Sequence, residues 1–494
     1  MSSNNFVSEV TTSKGEKISI RTGLFINNEF VAGANTIDTV NPTTGEVIAA
    51  VQAAEEEQVN AAVDAAEKAY RDVWSKTTGR ERARLMNKLA DLIEEHVDEL
   101  AKIETLDNGK GIAFSKGFDV PEVAKTLRYF AGYADKIHGK VMETQGKLSY
   151  TRHEPIGVCG AIIPWNFPIM MLGWKIGPAL CTGNTIVVKT SELTPLSAFK
   201  LGEYVKEAGF PPGVLNIITG YGAIAGDKLA RHPKVGKIAF TGSTAVGRMI
   251  MKAAAESNLK KVTLELGGKS PNIIFDDADL DQAVAWAHKG IFFNHGQVCC
   301  AGSRIYVQEG IYDKFLERFK EYTSKTKVGD PFSEDTFQGP QVSKVQFDRI
   351  MGYIESGKKE GATCYMGGNR LGDKGYFIEP TVFTDVKEDH VLMKEEIFGP
   401  VVAVSKFKTI DEVVEKANDS AYGLAAAVFT SNISTSITVA NKLEAGTVWI
   451  NCFNELDYNT PFGGYKQSGI GRENGEYALD NYYQVKSVKI NIGL

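Results

Sequence analysis

Long apolar runs are missing from this chain: the longest are broken by Pro, Gly, Asn or Lys, so no segment reads as a membrane-spanning helix. An excess of one charge is missing too. The 55 basic and 61 acidic residues give a formal net charge of -6, with no basic block and no acidic tail. Neither nucleic acid nor an anionic membrane is therefore an expected partner. Cysteine is sparse, with six residues at 159, 181, 299, 300, 364 and 452 and no CxxC pair. That argues against a disulfide framework and for reduced thiols in a cytosol-like compartment. The first twenty residues have no apolar h-region and no Arg, and they include Glu9 and Glu16. Neither a secretory signal nor a transit peptide is expected, which makes the cytoplasm the default. A mitochondrial form that has already been trimmed would read the same. Repeats and low-complexity segments are also absent.

What is present is an ordinary globular composition, 43% hydrophobic and 23% charged, over 494 residues. That length is too great for one core and implies two or three domains. LFINNEFV from Leu24 to Val31 predicts a small hairpin around Asn27 and Asn28. Helical spacing predicts one helix from Glu55 to Val73 and a second, carrying Leu85 to Ile103 on one face, that stops near Gly109. A third is expected around Val120 to Ile137. From Gly157 the pattern changes to short apolar runs, GVCGAIIPW, NTIVVKT, VLNIITG, KIAFTG and VTLELGG, separated by helical stretches. Such alternation predicts parallel strands covered by helices on both faces. A second α/β unit is expected from Asp279 onward. KLSYTRHE and the C-terminal YQVKSVKINI alternate like edge strands. They fit either an oligomerisation arm or a plain structural hairpin.

Ligands on parallel sheets sit beyond the carboxyl ends of the strands, which directs attention to residues just after each run. Lys189 and Glu192 follow NTIVVK, where a lysine and an acid could hydrogen-bond ribose hydroxyls; a solvated Lys and a capping Glu are the competing explanation. Gly242 and Ser243 stand at a helix entry suited to phosphate, although FTGSTAVG is neither GxGxxG nor a P-loop. Glu265 interrupts an apolar run, so it is either paired, exposed at the strand end, or a general base of raised pKa. Asn166, between Trp165 and Phe167, could cap a helix or donate to an oxyanion. The stretch FFNHGQVCCAGS sets Cys299 and Cys300 among glycines, as a displayed nucleophile requires; most free cysteines are nonetheless buried hydrophobes. His295 lies four residues before Cys299, which raises a Cys/His dyad as an alternative. Two adjacent thiols and one His match no zinc spacing, and no metal is expected.

Together PWNFP (164–168), FTGSTAVG (240–247), LELGGKSP (264–271), GQVCCAGSR (296–304), EEIFGPV (395–401) and PFGGYKQSGIGRE (461–473) resemble the NAD(P)-dependent aldehyde dehydrogenase superfamily, over nearly the whole chain. The nearest likeness is to its broad-specificity tetrameric acetaldehyde-oxidising group. The resemblance implies two doubly wound parallel-sheet α/β domains plus a small β oligomerisation arm. Residues 1–140 and 155–267 would bind the dinucleotide, 268–480 would be catalytic, and 141–154 with 481–494 would form the arm. It further implies Cys299 as nucleophile, Glu265 as general base and Asn166 as oxyanion donor. Lys189 and Glu192 would hold the adenosine ribose, Ser243 the pyrophosphate, and Glu396 with Phe398 the nicotinamide ribose and ring, with Trp165 and Gly242 as further cofactor-binding residues. Val298 stands where many relatives have a further cysteine, which leaves the assignment to Cys299 intact. Cysteine attack, hydride transfer and thioester hydrolysis follow from the likeness. NAD is the expected cofactor with NADP weaker, and a homotetramer or homodimer is expected. Met170, Met171, Trp174, Phe292, Phe453 and Phe462 would form an apolar tunnel for a small uncharged aldehyde. A betaine-aldehyde or otherwise specialised enzyme, and a non-catalytic relative that keeps the fold, are the alternatives.

Overall fold

The computed structural model describes residues 6–493; residues 1–5 and Leu494, which end the expected 1–140 and 481–494 spans, lie outside them. Five of the apolar runs pair in parallel in the order Lys261–Glu265, Lys237–Thr241, Val158–Ile162, Thr185–Lys189 and Leu215–Ile218. The last four are buried at every position, as strands covered on both faces must be. Each Val or Ile so enclosed contributes about 1.5–3 kcal/mol relative to exposure. The hairpin Leu24–Ile26 and Glu29–Val31 closes one edge antiparallel. Asn27 and Asn28 take φ of 55° and 62° at its turn, a region that Asn tolerates. At the other edge Gly469–Ile470 pairs antiparallel with Lys261–Glu265, so the chain returns from the second unit to complete the first sheet.

The second sheet runs Thr363–Met366, Thr381–Thr384, Val401–Phe407, Arg304–Gln308, Pro271–Ile274, Ala425–Phe429 and Thr447–Ile450, parallel except for the first pair. Sequence patterning missed three parts of this unit, the strands Thr363–Met366 and Pro271–Ile274 and the helix Ile433–Lys442. Pro271–Ile274 is only four residues long, and the helix Ile433–Lys442 is rich in Ser and Thr, weak helix formers. That helix starts where the Asn432 side chain accepts from the Ser434 and Thr435 N–H groups. The helix expected to run through Ile103 is two helices, Gly79–Glu95 and Val97–Asn108. Between them His96 leaves helical geometry and stacks on Tyr204 with ring centroids 4.8 Å apart. The helix expected to reach Ile137 ends at Ala131.

Lys147–Pro155 and Tyr483–Asn491 pair antiparallel along their full lengths, and Val141–Thr144 adds a third strand. The linker Leu266–Ser270 does more than punctuate the chain. Glu265 ends a strand of the first sheet and Pro271 begins one of the second. The linker therefore brings the carboxyl edge of one sheet to the amino edge of the other. Pro271, Arg304 and Ala403 lie side by side in register, so the segments entering those three strands share that edge.

Candidate active site

The cysteine loop is one of those entering segments. After the helix Leu280–Phe292 the backbone passes through left-handed geometry at Asn294, His295 and Gly296, with φ of 47°, 59° and 73°. Non-glycine residues there cost of order 1–3 kcal/mol each, so the surroundings must hold them. Asn294 Nδ2 donates to the Asn166 carbonyl at 3.0 Å, Gly339 N–H to His295 Nδ1 at 2.8 Å, and Val342 N–H to Gln297 Oε1 at 3.0 Å. At Gly296 a Cβ would lie 2.0 Å from the Gly399 carbonyl oxygen, so only glycine lets the loop pack there. The result is a half-buried Cys299, while Cys300 is buried with its Sγ 3.3 Å from Asn454 Oδ1.

His295 serves the loop and not the thiol. Its Nδ1 accepts from the backbone, and burial with the nearby Lys110 ammonium pushes its pKa down to about 3, so the ring is neutral. The Cys/His dyad is thereby excluded. The Cys299 thiol is pushed up, first by its hydrogen bond with Cys300, then by burial and the charge of Glu396. It rests as a thiol, and a role as nucleophile would require a proton acceptor nearby.

Glu265 offers one. Burial, with the Glu473 carboxylate adding to it, holds its carboxyl well above the usual range against the opposing pull of Lys175 and Arg472. Neither of its oxygens has a hydrogen-bond partner among the described residues. Behind it Lys175 Nζ meets Glu473 Oε1 at 2.5 Å, a buried pair that sequence reading missed. Its signal was there: Lys175 interrupts an apolar helix, Pro168–Cys181, just as Glu265 interrupts an apolar strand. Asn166 is 5% exposed, and its Nδ2 donates to the Gln297 carbonyl at 2.8 Å. A second amide hydrogen is left to offer.

Asn166, Glu265 and Cys299 line one cleft together with Trp165, Gly242, Ser243, Glu396 and Phe398. Trp165 and Phe398 meet edge to face at 5.2 Å. Glu396 reaches across the linker to accept from Gly268 N–H at 3.0 Å, and burial pushes its carboxyl up to about 7. A Cβ on Gly267 would sit 2.3 Å from that carboxylate, so glycine is what admits it. Gly242 N–H donates to the Glu265 carbonyl at 3.0 Å, and Ser243 caps the helix Thr244–Glu256, accepting from Val246 N–H at 3.4 Å. Lys189 and Glu192 lie outside the cleft wall. Burial pushes the Lys189 ammonium down, and its Nζ donates to Glu192 Oε2 at 3.2 Å.

The tunnel set needs correction. Met170, Met171, Trp174 and Phe462 line the cleft, but Phe292 and Phe453 do not. Phe292 ends its helix facing the core, stacked with Phe319 at 6.1 Å, and Phe453 packs on Trp449 at 5.0 Å. Phe118, Phe167, Phe293, Val298 and Leu456 stand in the wall instead. Phe118 sits in a π-helical turn, Ser115–Asp119, which apolar periodicity does not register.

The model of the aldehyde dehydrogenase family matches residues 30–488. An aldehyde dehydrogenase of Alternaria alternata is 63% identical over 96% of both chains, and one of Emericella nidulans 60% identical over 95% of both. Among solved structures, a Bacillus cereus aldehyde dehydrogenase determined as an NAD+ complex superposes with a TM-score of 0.94 at 52% identity, over 95% of this chain and 96% of that one. A P. syringae indole-3-acetaldehyde dehydrogenase gives 0.94 at 42% identity, over 96% and 97%. Sharing its fold with those structures and most of its residues with those relatives, the chain belongs to the aldehyde dehydrogenase family.

Proposed function

We propose that this protein oxidises small uncharged aldehydes, such as acetaldehyde, to carboxylic acids with NAD as cofactor, through a covalent intermediate on Cys299. One observation carries the proposal: a thiol, a buried unpaired carboxyl and an amide donor line a single cleft with the helix entry at Ser243 and the pair Glu396 and Phe398. The residues fit a dinucleotide. The N-terminus of the 13-residue helix Thr244–Glu256 suits a pyrophosphate, while Glu396 and the Lys189–Glu192 pair suit ribose hydroxyls. Gly267 keeps the Glu396 carboxylate at the cleft.

Cys299 attacks the aldehyde carbonyl, and Glu265 is the acceptor positioned for the thiol proton. Asn166 and the Cys299 backbone N–H stabilise the oxyanion that forms, where one such donor is worth about 10²–10³ in rate. NAD, when bound, supplies the hydride acceptor. The acyl group left on Cys299 is a thioester, and Glu265 deprotonates the water that hydrolyses it. The Lys175–Glu473 pair behind Glu265 sets the local charge that this carboxyl feels. An aldehyde panel with kcat/KM for each member tests the substrate class; preference for carboxylate-bearing or quaternary-ammonium aldehydes contradicts it.

Glu192 sets the cofactor preference, because a carboxylate beside the ribose repels a 2′-phosphate. NAD is expected to exceed NADP in kcat/KM by about tenfold or more, equivalent to about 1.4 kcal/mol. Glu192→Gln should narrow that ratio by lowering KM for NADP; an unchanged ratio contradicts the assignment. Phe118 packs edge to face with Phe293 at 6.3 Å in the cleft wall. Phe118→Ala should shift kcat/KM toward hexanal over acetaldehyde by about tenfold, the scale of pocket discrimination by one or two methylenes. No shift would remove Phe118 from the substrate end.

For assembly we propose a homotetramer or homodimer through the three-stranded arm, which exposes Val141 at 76% and Val485 at 60%. Light scattering reads the mass directly. Six free thiols support the cytoplasm as compartment.

A further inference from the structure

The proposed chemistry leaves the lysine of LGGKSP unused. Lys269 is 2% exposed and its Nζ has no hydrogen-bond partner among the described residues; the neighbouring Ser270 Oγ is likewise buried without one. Both line a small cavity, with only about 10 Å³ of free space for the centre of a water-sized guest, together with Arg304, Asn418, Tyr422, Leu424 and Glu444, none of which lines the cleft. The linker passes close to both spaces: a Cβ on Gly268 would meet Cys299 O at 2.5 Å and Ser270 Oγ at 3.5 Å.

Glu444, the carboxylate in the cavity lining, is paired with Lys466, which leaves the cationic side of the cavity to Lys269 and Arg304. Arg304 is 1% exposed and donates to the carbonyls of Lys269 (2.9 Å), Lys416 (3.1 Å) and Ala417 (2.9 Å) and to the Tyr306 hydroxyl (3.3 Å). None of these acceptors is charged, and a guanidinium does not deprotonate, so the wall stays positive. The carboxylates nearby are committed elsewhere. Glu396 accepts from Gly268 N–H, Glu395 from the Tyr353 hydroxyl at 2.7 Å, and Glu388 from the Tyr306 hydroxyl at 3.0 Å. Asp419 is held by Lys394 at 2.6 Å, and Glu444 by Lys466 at 2.5 Å. Burial, then Arg304, push the Lys269 ammonium down to about 7 against the opposing charges of Glu396 and Glu395, and a bound negative charge would add to that opposition.

A buried ammonium and hydroxyl without acceptors, beside a guanidinium whose hydrogen-bond acceptors are all neutral, favour a negative guest. Two side-chain donors suit a monatomic guest, whereas a phosphate would keep most of its oxygens unpaired. We propose that this cavity binds one small monovalent anion of halide size, held by Lys269 Nζ and Ser270 Oγ beside Arg304. The site lies against the linker that carries the Glu396 contact and backs the Cys299 carbonyl. It does not depend on which aldehyde the enzyme uses.

The test uses the full-length protein. Crystals soaked in sodium bromide and measured at the bromine edge should show an anomalous peak in contact with Lys269 Nζ and Ser270 Oγ. A cavity holding water only, with no such peak, overturns the site. In solution, chloride should raise the melting temperature by about 1–3 °C over gluconate at equal ionic strength. Lys269→Met should erase that increment; an increment that survives it contradicts the proposal. If that variant does not fold, Ser270→Ala is read in the same comparison and should reduce the increment, while the bromide experiment needs no variant at all.

Discussion

Replacing Cys299 by Ala is expected to abolish aldehyde oxidation, with kcat falling by about 10⁴-fold or more, the scale of deleting a covalent nucleophile. The fall should come without loss of cofactor affinity, because the groups placed to hold NAD stand on other segments: Ser243 at a helix entry, Lys189 at a strand end, Glu396 across the linker. Cofactor binding by fluorescence titration and activity on the same preparation separate the two effects. Cys300→Ala is the control. That thiol is buried in the cleft wall with its Sγ against Asn454 Oδ1 and is not the more exposed sulfur of the two, so its removal should leave most of the activity in place. Full activity in Cys299→Ala, or a collapse confined to Cys300→Ala, would reverse the assignment.

Glu265→Gln is expected to slow thioester hydrolysis by about 10²–10⁴-fold, the usual worth of a positioned general base. Acylation should be affected less, so rapid mixing with NAD and aldehyde should give a burst of NADH followed by a slow steady phase. The pH dependence carries a sign. Burial and the Glu473 carboxylate raise the Glu265 carboxyl above the ordinary range, so in the native enzyme it still holds its proton where an exposed glutamate has lost it. Only the deprotonated form can accept from water, so the hydrolysis rate should rise with pH as that proton leaves. In Glu265→Gln the rising limb should vanish. A variant without a burst and with the native steady rate and pH profile contradicts the role.

Much of this site was legible in the sequence because its residues break local rules. Glu265 stands in a run of apolar residues, and Cys299 follows the glycine at 296 that only a tight backbone approach explains. The parallel core was legible for a similar reason: strands buried on both faces read as unbroken apolar runs. What escaped depended on contacts between distant segments. The ring of Phe292 and that of Phe293 differ by one position, yet one enters the core and the other the cleft, because the chain leaves its helix between them. Periodicity does not record such an exit. The helix break at His96 is set by a stack with Tyr204, more than a hundred residues away in sequence. Local pattern predicts one continuous helix there, and tertiary packing prevails. The glycine and isoleucine at 469–470 form too short a strand to read, and only pairing with Glu265 and Leu264 gives them meaning.

The central claim is a covalent acyl intermediate on Cys299. Glu265→Gln protein mixed with NAD and acetaldehyde, acid-quenched in the slow phase, digested and analysed by mass spectrometry tests it most directly. The account predicts a stoichiometric acetyl group on the peptide that contains Cys299, localised by fragmentation to that sulfur and absent when NAD is omitted. An adduct on Cys300 or another residue, or no adduct while NADH has formed, would contradict it.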